Sequence, residues 1–339
     1  MIHLPKISFI IPFYNGKKYI EECLDSIYTQ DISVDKYEVI VVNDCSTDQQ
    51  SLDLLYTYQK KQNNLQILKT EHNVRVGGAR NHGIRNAKGK YIWFVDQDDK
   101  IEPYCLTQLL ERIEQNDLDY LGFDFLDFDD NGNSKPNRLV TNDTDVMTGL
   151  DYAYNICDKK IWNNQWDTNV WHQIYKREFL LKHNIFFTEI SYFDDMIVNL
   201  KSLIYAKRMQ TLQTTYYHYR YNEQSVLHTE VGYSGRTVFD ASISASVVLL
   251  NFSHEIKEID TYFSNHFLDA VSHRSNSFTK ALLRISHKQQ RNFYQQVKQY
   301  KDWVELMLPY LTKKNKILIK NPWIAYILHP LVTLYRKIR

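Results

Sequence analysis

Short apolar segments alternate with amphipathic segments over the first third of this 339-residue chain, and this alternation constrains the fold more than any other feature. Each short segment is rich in apolar and β-branched residues, and the segments between them place apolar residues at helical spacing. Continuous apolar strands joined by helices form a mostly parallel sheet that is covered on both faces. The predicted strands are residues 6–12, 37–42, 65–69 and 91–95; the predicted helices are residues 17–30, 77–87 and 103–116, with a further helix capped by Ser46, Thr47 or Asp48 that runs to Lys61.

The rest of the chain has a weaker pattern. The middle third combines a polar loop over residues 129–145 with helical patterns, and the chain beyond about residue 229 is mostly helical in pattern. We therefore expect an α/β domain over residues 1–228, a helical region over residues 229–312 and a basic amphipathic tail over residues 313–339.

The charge is balanced overall but uneven at the C-terminal end. A net charge of +1 gives no global nucleic-acid signature, yet seven basic residues and no acidic residue follow Glu305. This tail has basic ends and an apolar centre that Pro322 and Pro330 interrupt. The pattern fits a helix lying on an anionic membrane surface, and it equally fits a helix packed on protein.

Neither the cysteines nor the N-terminal segment indicate export. The four cysteines form no CxxC pair, so we expect them to be reduced and unpaired. The chain begins close to its first predicted strand, without a signal peptide, and no uncharged apolar stretch reaches the length of a membrane span. We therefore expect a cytoplasmic protein that can reach the inner face of the membrane through its tail.

Three carboxylates follow the fourth predicted strand within four residues: Asp96, Asp98 and Asp99. Their mutual repulsion calls for a positive partner, and a hard divalent cation such as Mg²⁺ or Mn²⁺ prefers oxygen ligands and also binds diphosphate. An acidic turn or a helix cap explains the same residues without a metal. These residues alone leave both interpretations open.

Two further segments carry candidate binding residues. Asp44 directly follows the second strand, where a carboxylate can accept a hydrogen bond from a base N–H such as the imide of uracil. Arg80 follows two glycines and suits a phosphate or base-edge contact, with a buried ion pair as the alternative. The segment does not match GxGxxG or a P-loop, which argues against a classical dehydrogenase.

A second acidic pair, Asp194-Asp195, precedes a helical run. Carboxylates at a helix start complement the helix dipole, and that interpretation is favoured for these two residues alone. The other interpretation is a base that deprotonates a hydroxyl group.

Together these segments resemble the family 2 glycosyltransferases of the GT-A fold, in order and in spacing, over about residues 5–110. Trp171, the run from Tyr175 to Leu180 and Asp194-Asp195 extend the resemblance to about residue 225. The segments that carry it are Pro12-Phe13-Tyr14-Asn15, Val41-Val42-Asn43-Asp44-Cys45-Ser46-Thr47-Asp48, Ala79-Arg80-Asn81-His82-Gly83-Ile84 and Phe94-Val95-Asp96-Gln97-Asp98-Asp99.

The resemblance implies a role for each matching residue. Asp195 is the implied catalytic base, and Asp98 is the implied ligand of Mn²⁺ or Mg²⁺. Asp194 and Trp171 are expected on the acceptor side. The implied nucleotide-sugar-binding residues are Phe13, Tyr14, Asn15 and Asp44 toward the base, Arg80 toward the base or diphosphate, Asp96 near the ribose, Asp98 through the metal, and Arg220 and Ser225 near the diphosphate.

Three positions depart from the family pattern. Members usually have Gly where Cys45 stands, and many have Gly where Arg75 stands, so we expect the loop before Gly77 to differ. Members usually have Glu where Asp194 stands, which puts its acceptor contact in question because Asp is one methylene shorter. The base role implied for Asp195 is unaffected.

The implied activity is inverting transfer of a sugar from a nucleotide sugar, with a UDP-sugar favoured by the resemblance, to a hydroxyl of a saccharide or lipid-linked saccharide in polysaccharide biosynthesis. The sugar is expected to be a hexosyl or N-acetylhexosaminyl group. Two alternatives stay open: a nucleotidyltransferase acting on sugar phosphates, which would release pyrophosphate, and a non-catalytic nucleotide-sugar-binding protein. No nucleic-acid partner is expected.

Overall fold

A computed structural model of the chain describes residues 4–138, 142–154, 169–188, 194–221, 250–261, 264–265, 305 and 308–320. The chain divides into two compact units. The first comprises Met1–Glu189 with Asp194–Asn222, and the second comprises Ile190–Phe193 with Glu223–Arg339.

The first unit is built on a sheet of nine strands within the described residues, in the order β3-β2-β1-β4-β8-β6-β9-β5, with β7 paired to β6. Strands β3, β2, β1 and β4 are parallel, β6 and β9 are parallel, and β8 runs antiparallel to both β4 and β6. The strands are β1 (Ile7–Phe13), β2 (Tyr37–Asn43), β3 (Leu65–Lys69), β4 (Tyr91–Phe94), β5 (Lys100–Ile101), β6 (Tyr120–Phe128), β7 (Ser134–Asn137), β8 (Gln173–Lys176) and β9 (Met209–Arg220).

The helices of this unit are amphipathic and cover the sheet. In α4, for example, four apolar residues at helical spacing are buried, each contributing about 1.5–3 kcal/mol through burial. Asp48 caps α2, accepting from the backbone N–H groups of Gln50 (3.3 Å) and Ser51 (3.1 Å), as its sequence position predicted. The helices are α1 (Ile20–Tyr28), α2 (Gln49–Lys61), α3 (Arg75–Asn86), α4 (Leu106–Gln115), α5 (Gly149–Tyr152), α6 (Arg177–Lys182) and α7 (Asp194–Tyr205), with a 3₁₀ turn at Val34–Lys36.

The strand order places a binding edge at the middle of the sheet. The first two connections, through α1 and α2, build the sheet outward from β1 to β2 and β3, and the third, through α3, places β4 on the other side of β1. Ligands of open α/β sheets bind beyond the carboxyl ends of the strands at such a reversal. We call this the carboxyl edge; it is followed by the loops after Phe13, Asn43 and Phe94.

The four predicted strands appear as β1–β4, with ends shifted by at most one residue. The middle third contains more strand than its sequence pattern predicted, since β6, β8 and β9 all join the sheet. The register of β9 against β6 shifts on either side of Asp124, so side chains do not alternate regularly between the faces. That irregularity obscures the two-residue period by which a strand is predicted.

The opposite, amino-terminal edge of the sheet is closed by a buried carboxylate. Glu38 accepts hydrogen bonds from the Ser8 hydroxyl (2.6 Å) and from the backbone N–H groups of Lys88 (2.6 Å) and Gly89 (3.1 Å). Gly89 is required for this close approach, because an added Cβ would lie 2.5 Å from the backbone nitrogen of Ser8. One side chain therefore ties β1, β2 and the loop before β4 together.

The second unit is described in short segments, which are helical where they have regular structure. Residues 250–256 are helical, Leu308–Tyr310 form a 3₁₀ turn, and Lys313–Lys320 form α8. The predicted domain boundary at residue 228 and the tail beyond residue 320 lie outside the described residues, so these boundaries stay predictions.

Two expectations about the chain as a whole can be compared with the described residues. Cys23, Cys45 and Cys105 are free thiols, while Cys157 lies outside the described residues. None of the helices formed by the described residues combines the length and the apolar character that crossing a membrane would need.

Candidate functional site

The acidic turn after β4 contains three carboxylates in different environments: Asp99 is buried, whereas Asp96 and Asp98 are half-buried. Asp99 is buried, where Oδ2 accepts from the Tyr217 hydroxyl (2.7 Å) and Oδ1 from the Arg220 backbone N–H (2.7 Å). Asp98 is half-buried and makes no side-chain hydrogen bond within the described residues. Burial, followed by the charge of Asp96, raises the pKa of Asp98 to about 6. The charge of Arg220 opposes this shift, and Asp98 is the carboxylate of the turn that accepts no hydrogen bond from another described residue.

Arg80 reaches the carboxyl edge from α3 and joins three carboxylates. Its side chain is 3% exposed, and Nη2 donates to Oδ1 of Asp96 at 2.6 Å. Nη1 donates to Oδ1 of Asp195 and lies 3.9 Å from Oδ2 of Asp194. Burial alone would lower the pKa of Arg80, but the three carboxylates raise it well above its usual value. The ion pair expected as an alternative for Arg80 is thus present, and it lies inside the candidate site.

Asp195, at the start of α7, is a carboxylate with a strongly perturbed environment. Burial is the largest cause that raises its pKa to about 8, Arg80 opposes the shift, and the charges of Asp194 and Asp96 add to it. A carboxyl group whose pKa lies near neutral pH is suited to accept a proton from a substrate hydroxyl. A carboxylate whose pKa is shifted by burial and by neighbouring charges is a candidate functional residue.

Asp194 occupies a more enclosed position than its neighbour. Only 6% of the residue is exposed, and burial raises its pKa while Arg80 opposes the shift. Its Oδ2 has no hydrogen-bond partner among the described residues. It lies so close to the first turn of α3 that a Cβ added to Gly77 would be 2.7 Å away. The glycine therefore makes room for the carboxylate.

Asp44 directly follows β2, and one of its carboxylate oxygens is held by hydrogen bonds. Oδ1 accepts from the backbone N–H of Val74 (2.8 Å) and from the hydroxyl of Thr70 (2.9 Å). Oδ2 makes no hydrogen bond to the described residues, so an acceptor is available at the predicted base site. Cys45 and Arg75, which stand where the family usually or often has Gly, have φ angles of 61° and 65°. Both keep the left-handed conformation that glycine favours.

The segment after β1 divides its three candidate residues between different environments. The Phe13 side chain is buried in the core, so any contact of this residue with a base falls to its main chain. Tyr14 is 47% exposed and offers a free ring. Asn15 accepts from the backbone N–H groups of Thr47 (2.9 Å) and Asp48 (3.0 Å), so it fixes the start of α2.

The remaining candidates lie around β9. Trp171 is 3% exposed and stacks on Tyr217 (4.5 Å between ring centroids) and on Tyr219 (5.3 Å). Arg220, at the end of β9, is buried and donates from Nε to the backbone oxygen of Asp98 at 2.8 Å. Ser225 lies outside the described residues.

Two site residues were not predicted from the sequence. Gln97 clamps Tyr14, accepting from its backbone N–H (3.0 Å) and donating to its carbonyl (3.3 Å). The Tyr217 hydroxyl accepts from the Asp96 backbone N–H (3.0 Å) and donates to Asp99. Gln97 lies within the acidic run and could have been considered on that ground. Nothing local distinguishes Tyr217 from the other tyrosines of β9.

The donor set at the acidic turn fits a divalent cation shared with a ligand. No group of three or more His, Cys, Asp or Glu side chains among the described residues is arranged to hold a metal by itself. Mg²⁺ and Mn²⁺ commonly take one or two carboxylates and complete their coordination with substrate phosphates. Asp98, half-buried and in no ion pair within 4 Å among the described residues, matches that requirement.

Comparisons with known proteins give the class that this fold and site define. The sequence model described as glycosyl transferase family 2 matches residues 8–198, more than half of the chain. The chain belongs to glycosyl transferase family 2. The resemblance stated from the sequence motifs is therefore confirmed.

Two similar relatives are glycosyltransferases by name. The uncharacterized glycosyltransferase EpsJ of Bacillus subtilis is 32% identical over 68% of this chain and 64% of its own length. The poly(ribitol-phosphate) beta-N-acetylglucosaminyltransferase TarS of Staphylococcus aureus is 28% identical over 81% of this chain and 46% of TarS. The chain thus spans less than two-thirds of the length of either relative.

A solved structure confirms the fold. The crystal structure of S. aureus TarS 1–349 in complex with UDP-GlcNAc has a TM-score of 0.68 and 24% sequence identity, covering 98% of this chain and 92% of that one. The predicted mostly parallel α/β sheet of GT-A type is therefore confirmed. The predicted contacts of individual residues with a nucleotide sugar stay predictions.

Proposed function

We propose that this protein transfers a sugar from a nucleotide sugar, a UDP-sugar in the first instance, to a hydroxyl group of a saccharide or lipid-linked saccharide, with inversion at the anomeric carbon. The observation that carries the proposal is the chain of contacts Asp96–Arg80–Asp195 at the carboxyl edge of the sheet. It puts a residue predicted near the ribose and a carboxylate of raised pKa on the same guanidinium. Membership of the family and the names of the relatives support the same activity.

In this proposal Asp195 is the general base. Its carboxylate takes the proton of the acceptor hydroxyl while the hydroxyl oxygen bonds to the anomeric carbon and the bond from that carbon to the diphosphate oxygen breaks. A pKa of about 8 makes the carboxylate a stronger base than an ordinary Asp, and a positioned base contributes about 10²–10⁴-fold to the rate. Arg80 holds the Asp195 carboxylate in place by donating a hydrogen bond to it.

The donor nucleotide would occupy the loops after β1 and β2. The second oxygen of Asp44 is an acceptor suited to the imide N–H of uracil, and the exposed ring of Tyr14 offers a stacking surface. Asp96, whose side chain is 25% exposed, can accept from a ribose hydroxyl. The solved TarS complex contains UDP-GlcNAc, which supports a uridine nucleotide here without fixing the sugar.

A divalent cation, Mn²⁺ or Mg²⁺, would be held by Asp98 together with the diphosphate. When bound, it supplies positive charge that stabilises the leaving diphosphate. The measurement is turnover before and after treatment with EDTA, followed by return of Mn²⁺ or Mg²⁺. Loss and recovery of activity are expected; unchanged activity after metal removal would contradict the metal assignment.

Asp194 and Trp171 are proposed to lie beneath the surface that binds the acceptor. Oδ2 of Asp194 is itself buried, and the Trp171 ring is stacked on Tyr217 and Tyr219. We therefore propose that both support the acceptor-binding surface. The usual family residue Glu would be one methylene longer at position 194, where the Asp194 carboxylate already lies against the first turn of α3.

A lipid-linked acceptor would be consistent with membrane association of the basic tail. The part of the tail that the structure describes, Lys313–Lys320, is helical and carries four lysines. Binding to vesicles containing anionic lipid should be lost when the chain is truncated after Leu311. Retained binding would favour the interpretation that the tail packs on protein.

The most informative experiment is a thermal-shift panel of nucleotide sugars with Mn²⁺ or Mg²⁺, followed by product analysis. A glycosyltransferase should be stabilised by its donor and release a nucleoside diphosphate. Release of pyrophosphate from a nucleoside triphosphate would instead identify a nucleotidyltransferase. Stabilisation by a donor without transfer to any acceptor would favour a non-catalytic binding protein.

A further inference from the structure

The end of β9 holds the acidic turn at four points. The Tyr217 hydroxyl accepts from the Asp96 backbone N–H (3.0 Å) and donates to Asp99 (2.7 Å). The backbone N–H of Arg220 donates to the other oxygen of Asp99 (2.7 Å), and its Nε donates to the backbone oxygen of Asp98 (2.8 Å). The conformation of the turn therefore depends on where β9 ends.

The two Nη atoms of the Arg220 guanidinium both pair with carboxylates outside the acidic turn. Nη2 pairs with Glu22, and Nη1 lies 2.5 Å from Oδ1 of Asp130. The guanidinium carbon lies 4.3 Å from the ring centroid of Tyr19 and 4.4 Å from that of Phe128. Two carboxylates and two aromatic rings thus fix one buried side chain.

Both carboxylates have further partners that keep them in place. Asp130 accepts from Lys18 (3.0 Å) and from the Tyr19 hydroxyl (2.9 Å), and these hydrogen bonds lower its pKa to about 2. Glu22 accepts from Lys100 at 2.7 Å. Arg220 would therefore have to give up two charged partners before it could bind a diphosphate.

We propose that Arg220, held by Glu22 and Asp130, is a positioning residue for the acidic turn and not a ligand of the diphosphate. This inference rests on the proposed function, because the turn matters only if Asp98 holds a metal and diphosphate. It changes the role implied by the family resemblance and assigns a role to two carboxylates on α1 and after β6. The geometry in its favour is that Arg220 contacts the turn through Nε and its backbone while both Nη atoms point to carboxylates.

The two roles predict opposite responses to removal of the carboxylates. In Glu22→Gln and Asp130→Asn, a diphosphate ligand would be freed, so UDP would bind equally well or more tightly. A positioning residue would instead be loosened together with the turn. We then expect affinity for UDP in the presence of Mn²⁺ to fall about 3–10-fold, with UDP binding in the absence of metal unchanged.

The experiment is isothermal titration of UDP with and without Mn²⁺, together with electron paramagnetic resonance of Mn²⁺ in the presence of UDP, so it does not depend on turnover. Lys100→Gln and Lys18→Gln are matched controls, because each removes a charge next to Glu22 or Asp130 and leaves the carboxylate on Arg220. The controls should change the Mn²⁺-dependent affinity by less than about 2-fold.

Tyr217→Phe tests the other contact with the turn and removes no charge. It should weaken Mn²⁺ binding in the presence of UDP while thermal melting shows a folded protein. Tighter UDP binding in Glu22→Gln or Asp130→Asn, or UDP affinity that falls equally without metal, would overturn the positioning role. Absence of any Mn²⁺-dependent UDP binding by the unmodified protein would instead count against the proposed function.

Discussion

The two edges of the sheet treat buried carboxylates in opposite ways. At the amino-terminal edge, Glu38 accepts from one hydroxyl and two backbone N–H groups, all of them uncharged donors. At the carboxyl edge, Asp96, Asp194 and Asp195 are all within 4 Å of the single guanidinium of Arg80. The first carboxylate has a set of donors of its own, whereas the other three share one cation.

We interpret the difference as a separation between a structural group and the groups proposed to be functional. A buried carboxylate with enough hydrogen-bond donors fixes the loops around it. Carboxylates that share one cation repel one another and shift in pKa, which suits groups that exchange a proton or a cation. The predictions that follow test whether the two edges really divide stability and chemistry in this way.

The largest expected effect is on turnover in Asp195→Asn. The amide cannot accept the acceptor proton, so turnover should fall about 10²–10⁴-fold. The measurement is the rate of nucleoside diphosphate release with saturating donor and acceptor. Near-normal turnover would show that Asp195 is not the base.

The same variant should not lose stability at high pH. Asp195, with a pKa of about 8, stays protonated in the folded state over a range where an ordinary Asp has already ionised. The folded state then binds more protons than the unfolded state, so this residue lowers the free energy of unfolding as the pH rises toward 8. Relative to the unmodified protein, Asp195→Asn should therefore become more stable between pH 5 and pH 9 in urea titrations.

At the amino-terminal edge, Glu38→Gln should lower the stability of the protein and leave turnover nearly unchanged. Replacing the carboxylate weakens charge-assisted hydrogen bonds and places an NH₂ group among donors, so the free energy of unfolding should fall by about 1–3 kcal/mol. Turnover at a temperature where the variant is folded should stay within about 2-fold of normal. A large loss of turnover without loss of stability would break the division between the edges.

A smaller effect is expected on the pH dependence of kcat/KM in Asp194→Asn. Asp195 must be ionised to act as a base, so kcat/KM should fall as the pH drops below about 8. The negative charge of Asp194 helps to raise that pKa, while Arg80 and Asp96 also face the group. Removing it should move the acid limb to lower pH by about one unit. An unmoved limb with a raised KM for the acceptor would instead support direct acceptor contact by Asp194.

The smallest effect is expected in Gly77→Ala. Alanine favours a helix, but the added Cβ would lie 2.7 Å from Oδ2 of Asp194 and 3.1 Å from Cβ of Phe187. We expect a net loss of about 1 kcal/mol in the free energy of unfolding. A double-mutant cycle with Asp194→Ser checks the cause, because the cost of the alanine should fall when the carboxylate is absent.

The first third of the fold was predictable because its signals are local. The strands β1, β2 and β4 are short apolar runs buried on both faces, β3 is a half-buried run at the edge of the sheet, and Asp48 caps α2 through its own side chain. The strand β9 was not predicted, since it pairs with a partner more than 80 residues away along the chain and its register is interrupted. Pairing over that separation leaves little trace in a local pattern.

The candidate site was predictable as a set of residues and not as a set of contacts. The positions of Asp44 and Asp96 after their strands placed both on one edge. Their partners were not evident: Arg80 pairs both with Asp96 and with Asp195, which lies 115 residues after Arg80, and Arg220 contacts the backbone of the acidic turn. Phe13 and Asn15, named as ligand contacts, are held in the core and at the start of α2.

The sequence by itself determined the α/β class, the edge of the sheet where chemistry is possible and the residue types available there, because apolar periodicity and the position of a residue after a strand are properties of neighbouring residues. Only the tertiary structure decided how the carboxylates divide their roles. Whether an aspartate is fixed by neutral donors, paired with Arg80 or left for a cation depends on groups brought together by folding. Burial and the distance between charges set those roles, and neither quantity exists until the chain is folded.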